Sequence, residues 1–166
     1  MKKAVLSGVI AFVGMVAMST SAFAQAPTAN INVQVNVNAR AKLTLGTAAI
    51  SFADADPDLT PTFTSAPVSI DVKARTTAGG AVNLTVLAAG DFANGASLIP
   101  LNTLTWTVAG DAGLQAGATS KATAQTVGSW TSSGSHAGSH TYSLPNLWSY
   151  ATGTYSVQLN YTLATP

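Results

Sequence analysis

The chain contains no cysteine and no glutamate, and charged residues make up only 8% of its 166 positions. Without cysteine there is no disulfide staple, no thiol nucleophile and no thiol on which a lipid anchor could be built. Stability must come from sheet packing, or from strands that a neighbour supplies. Without glutamate, with little lysine and with much Thr, Val, Ser and Gly, the composition turns away from helix and towards strands and turns. A long hydrophobic run is missing too. Residues 4–17 are apolar, but a spanning helix needs about 20 residues, and no second such stretch follows.

Residues 1–24 read as an export leader. Lys2 and Lys3 form a positive start, the apolar stretch follows, and Ala22-Phe23-Ala24 offers a small-x-small cleavage site before Gln25. The remainder is the size of one domain, expected to leave the cytoplasm without membrane insertion. It holds five basic residues, Arg40, Lys42, Lys73, Arg75 and Lys121, against six Asp. The resulting charge near −1 gives no composition-level reason to expect nucleic acid or an anionic membrane as partner.

What the chain does have is period-two patterning. From Ile31 the odd positions read Ile31, Val33, Val35, Val37, Ala39, Ala41, Leu43 and Leu45, and the even ones Asn32, Gln34, Asn36, Asn38, Arg40, Lys42 and Thr44. One apolar and one polar face mark a strand with one side buried. At about 3.3 Å per residue the run would span roughly 50 Å, far more than an ordinary strand of five or six residues. Either the chain bends between two strands, or part of the run lies in another molecule. Residues 30–38 carry no charge and no proline, the usual guards of an exposed edge, so a free strand here invites pairing.

Further along, residues 47–52 could hold a short strand, and residues 53–66, rich in Asp, Pro, Thr and Ser, read as a loop. Val68, Ile70, Val72 and Ala74 alternate with polar residues, as do Val82, Leu84, Val86 and Ala88. With Gly79-Gly80 between them the two runs predict a hairpin. Leu104, Trp106 and Val108 predict another strand with Trp106 facing inward. Residues 122–130 and 139–144 predict two more, with a Gly/Ser/His turn at 132–139. Tyr155, Val157, Leu159, Tyr161 and Leu163 predict the last. About eight strands and no helix point to an all-β fold, and specifically to an immunoglobulin-like antiparallel sandwich.

Chemistry-bearing motifs are sparse. Asp54, Asp56 and Asp58 have calcium-loop spacing, but Leu59 and Ser65 stand where such a loop needs Gly and Glu. A solvated turn accounts for them, and no metal site is expected. His136 and His140 sit four apart among Gly and Ser, so no helix aligns them for a metal. Gly134-Ser135-His136-Ala137-Gly138 puts His where a nucleophile elbow has Ser. Asp71, Asp91 and Asp111 stand in no recognisable catalytic context, no phosphate loop is present, and the reading is of a non-enzyme without cofactor. Trp148 and Tyr150 are the aromatics expected at the surface. Asn83-Leu84-Thr85 and Asn160-Tyr161-Thr162 match the glycosylation triplet but fall on predicted strands.

The ending from Ala151 through Gly153, Tyr155 and the alternating residues to Leu163, together with the alternating stretch at the start of the exported chain, resembles bacterial fimbrial subunits of the chaperone–usher and spore-coat-U-like kind. The resemblance implies a structural subunit of an extracellular, fimbria-like filament. It also implies assembly with copies of itself, helped by a periplasmic chaperone and an outer-membrane assembly protein. Under it, residues 25–38 form an extension whose Ile31, Val33, Val35 and Val37 complete a neighbour's sheet, and residues 39–166 form the sandwich. The competing expectation is that residues 31–37 are the first strand of their own sandwich. Functionally, the alternative is a monomeric secreted sandwich binding carbohydrate or protein at the cell surface.

Overall fold

The computed structural model describes residues 29–166; the leader reading, residues 1–24, lies outside them. The chain divides into two units, Met1–Val35 and Asn36–Pro166. In the first, residues 29–35 form neither helix nor strand and are exposed.

The second unit is built from eleven strands: β1 Arg40–Leu45, β2 Thr62–Thr64, β3 Val68–Arg75, β4 Ala81–Ala88, β5 Phe92–Asn94, β6 Ser97–Ile99, β7 Thr105–Gly110, β8 Gly117–Ala118, β9 Gln125–Thr131, β10 Gly134–Pro145 and β11 Leu159–Ala164. Among the described residues the only helical piece is a 3₁₀ turn at Leu101–Thr103. The larger sheet has the order β1-β3-β10-β7-β8, with β2 also paired to β10; the second has the order β11-β4-β9; β5 and β6 form a small hairpin. All ladders are antiparallel. The fold is the expected all-β sandwich.

Alternation explains the core. Val68, Ile70, Val72 and Ala74 of β3 are buried, as are Val82, Leu84, Val86 and Ala88 of β4. Each strand therefore turns one face to the interior, and the two sheets meet there with Val127, Leu104 and Trp106. Trp106 is inward as expected, with its indole N–H donating to Gln115 O at 2.7 Å.

Several expectations are corrected. β3 and β4 are not a hairpin: β3 pairs with β1 and β10, while β4 pairs with β11 and β9. Two strands with equally buried faces can sit in opposite sheets as readily as side by side, and the turn at residues 76–80 carries the chain across. Residues 47–52 form no strand, and β2 lies within the stretch read as loop. The Gly/Ser/His turn at 132–139 is mostly strand, because β10 begins at Gly134 and runs twelve residues. The long opening run is a strand only over Arg40–Leu45; residues 31–39 are exposed and outside any ladder.

One long side of the sandwich is closed. The segment between β7 and β8 bonds to β9: Gln115 N–H donates to Val127 O at 3.0 Å, and Ser129 N–H to Gly113 O at 2.9 Å. Trp130 packs over Gly113 and Gly128, where any Cβ would collide with its indole. The indole N–H donates to Asp111, which also accepts from Gly113 N–H and meets His136 Nδ1 at 2.9 Å. These bonds, the indole's foremost, hold the Asp111 carboxyl down to about 2. His136 stacks on Trp130 with ring centroids 4.6 Å apart, and its Nε2 is buried without a partner. The ring is thus a strut between sheets, with no nitrogen turned to solvent for proton transfer.

Candidate functional site

The opposite long side is open. Among the described residues β1 pairs only with β3, and β11 only with β4, so each strand presents an unpaired edge to them. Cα atoms of the two come within 8 Å of one another, but no ladder joins them. Their inward faces are incompletely covered. Along the last strand and its approach Tyr155, Val157, Leu159, Tyr161 and Leu163 alternate half-buried with exposed residues, and none is fully buried. On β1, Leu43 and Leu45 are half-buried and Ala41 is exposed. On β3 and β4 the corresponding positions are buried.

At the Leu45 end of this side, lined chiefly by residues 47–54 after β1 and residues 153–158 before β11, lies a cavity of about 850 Å³. Its walls include Leu45, Phe52, Phe63, Val157 and Leu159, and its floor reaches core residues such as Val68 and Leu104. Phe52 and Phe63 stand 6.1 Å apart at one wall, so residues 47–52, though not a strand, still contribute an apolar side chain to it.

A polar cluster lies under the groove. The Tyr161 hydroxyl meets that of Tyr142 and approaches His140 Nδ1 at 3.3 Å. Trp106 stacks on His140 at 6.0 Å. His140 is fully buried, its Nε2 has no partner, and burial pushes its pKa down to about 4, so it is neutral near pH 7. Burial likewise raises both tyrosines above their ordinary range. The two histidines lie on β10 with inward rings, each against a different tryptophan; the sequence pattern had placed His136 in a turn.

The four residues of the candidate donor strand are Ile31, Val33, Val35 and Val37. They are 87%, 84%, 76% and 63% exposed. Asp54, Asp56 and Asp58 are exposed as well, and among the described residues no group of three or more acidic or His side chains is arranged to hold a metal. Instead Asp56 Oδ1 accepts from Asp58 N–H at 2.9 Å, and Asp58 accepts from the Trp148 indole at 3.1 Å. Trp148 is 70% exposed, as expected, whereas Tyr150 is half-buried against the core. Buried Asn146 ties the acidic loop down by donating to Ala55 O at 2.9 Å and Thr60 O at 3.0 Å. The glycosylation triplets lie on β4 and β11, as read.

The groove residues escaped sequence reading as a set. Each belongs to a pattern recognised strand by strand, but half-burial on two strands far apart in sequence becomes visible only when the sheets are stacked. Comparison with known proteins finds no family model that matches the chain and no curated relative.

Proposed function

We propose that this chain is a structural subunit of an extracellular, fimbria-like filament. In this reading residues 31–37 of one copy enter the groove of the next and pair with its free strand edges. A single observation carries the reading. The sandwich has one inward row too few covered along β1 and β11, while the same chain carries an exposed strand-patterned segment with one apolar face. Period-two side chains on both sides repeat every ~6.6 Å, so Ile31, Val33, Val35 and Val37 can interleave with the half-buried row of the last strand.

Energetics fits a cooperative joint. Burying four such side chains is worth about 1.5–3 kcal/mol each, and fixing the backbone costs about 1–2 kcal/mol per residue. These terms nearly offset, so the backbone bonds to β1 and β11 supply the margin. Where the two strands approach within 8 Å, they must separate to about 10 Å to admit a third at ordinary spacing. Donation to the chain's own groove would need a reversal just before β1. Residues 36–39, Asn-Val-Asn-Ala, form no turn.

Electron microscopy and sedimentation of the exported chain test the reading. Val35→Asp should abolish filaments, since it drives an unpaired charge into an apolar groove. Asn36→Asp, on the polar face, should leave them. Filaments that persist after deletion of residues 25–38 would rule the mechanism out.

A second reading, a monomeric domain binding carbohydrate or protein, is favoured by exposed Trp148, which Asp58 holds in place. Under it Trp148→Ala removes surface binding and the exported chain stays monomeric.

A further inference from the structure

Charge in this molecule is scarce and segregated. Three carboxylates are paired internally among the described residues: Asp91 with Lys121, Asp111 with His136, and Asp71 with Lys73 at 3.7 Å. The remaining charged side chains fall into two groups. Arg40, Lys42 and Arg75 form one, beside Lys73. Asp54, Asp56 and Asp58 form the other.

Register builds the basic group. Arg40 lies opposite Arg75 and Lys42 opposite Lys73 across the β1–β3 ladder. All four are exposed on the outer face, since the alternate positions Val72 and Ala74 are buried. Like charges directly opposite in an antiparallel pair are unfavourable, and the row beyond them on β10 offers only Ser135 and Ala137. Among the described residues no carboxylate except Asp71 relieves the cluster. The acidic loop lies at the far end of the same sheet: Lys73 pairs with Ser135 near the start of β10, while the loop is tied to Asn146 just past its end. Eleven residues of strand separate the two, about 35 Å at 3.3 Å each, several Debye lengths at physiological salt.

We infer that the basic face of β1 and β3 is a docking surface for a second copy of this chain, whose acidic loop at residues 54–58 is the group that seats there. Three unpaired cations meet three unpaired carboxylates, and the contact is head to tail because the two groups occupy opposite ends of one sheet. A heterologous contact of this kind propagates from subunit to subunit, into a ring or an open chain. The occupant is supplied by the molecule itself. Nucleic acid fits the face poorly, because no exposed aromatic stands among the basic residues to stack a base. The charges steer copies into line; residues 36–39 enter β1 at its Arg40 end, so copies aligned this way carry that end of one against the opposite end of the next. The contact is a property of the sandwich surface and does not require strand donation.

Light scattering of the exported chain tests it. Raising salt from about 0.02 M to about 0.5 M should slow association about tenfold. Lys42→Glu with Arg75→Glu, and separately Asp54→Lys with Asp58→Lys, should each slow association at low salt by a similar factor. An equimolar mixture of the two variants should regain the wild-type rate, which also shows that both are folded. The neutral pair Lys42→Gln with Arg75→Gln should fall between. A mixture that stays slow while both variants keep their circular-dichroism spectra overturns the proposal, as does association indifferent to salt. Loss on reversing the basic face alone would put the contact on a different carboxylate of the chain, and overturns it too. Strand donation is read separately: Val35→Asp abolishing filaments while the mixture fails to recover sinks the charge contact and leaves donation standing. Recovery in the mixture with Val35→Asp inert does the reverse.

Discussion

The two long sides of this sandwich are finished in opposite ways. Between β7 and β9 the sheets are laced by backbone bonds and plugged by Trp130, with Asp111 and His136 fastening the plug. Between β1 and β11 there is no lace and no plug. The half-covered residues there come from strands patterned as cleanly as any in the core. The open side does not lack apolar side chains. It lacks a further strand to cover them and to occupy two free edges. Arg40 and Lys42 guard the β1 edge, but β11 carries no charge, and an apolar-backed edge of that kind is a hazard for a monomer and a joint for a polymer.

The comparison breaks most severely at the plug. Trp130→Ala should cost about 3–5 kcal/mol of stability in urea unfolding of the monomer. Loss much under 1 kcal/mol would mean that the closed side is not held by the ring.

Acid should separate the sides next. His140 lies under the groove with its folded pKa near 4, below the ordinary value of 6.5. Between these values the unfolded chain binds a proton that the folded chain refuses, so stability falls as pH drops from about 6.5 to about 4, by about 3 kcal/mol in all. His140→Gln should flatten that slope. Asp111 on the closed side, held down to about 2, acts lower: its contribution is present above about 4 and is lost as pH falls from there to about 2. Asp111→Asn should remove only the lower step. Unfolding midpoints measured across both windows check the pair.

Leu159→Ala sharpens the comparison at smaller scale. A fully buried leucine costs 2–5 kcal/mol when truncated to alanine. Half-covered Leu159 should cost about 1 kcal/mol in the monomer, and more in an assembly if a strand of a second copy covers the row. Equal cost in both states would argue against a strand seated there. Smallest of all, Trp148→Ala should change monomer stability by less than about 0.5 kcal/mol, because its ring is mostly exposed and its one bond, to Asp58, is at the surface.

Much of this architecture was legible in the pattern of residues. The alternations at 68–74, 82–88, 104–108 and 159–163 located four strands and their inward faces, because a period of two follows from the pleat alone, whereas residues 155–158 of the last run form no strand. Pairing was not legible: the buried faces of β3 and β4 suit adjacent strands and facing strands equally, and the hairpin expectation failed there. Strand ends were blurred where Gly and Ser occupy a ladder, as at the start of β10. His136, Asp111 and Trp130 carry no spacing signal, being brought together from three segments.

By itself, then, the sequence determined the class of fold, the identity of the inward rows and the presence of an unguarded apolar-faced segment from Ile31 to Val37. These depend on local periodicity and composition, which short stretches of chain express on their own. Stacking and register settle which strands share a sheet, which side of the sandwich is closed, and that four of the five basic side chains among the described residues stand together on one face. Those features depend on register and on stacking between residues distant along the chain, where many arrangements satisfy the same pattern and packing selects one.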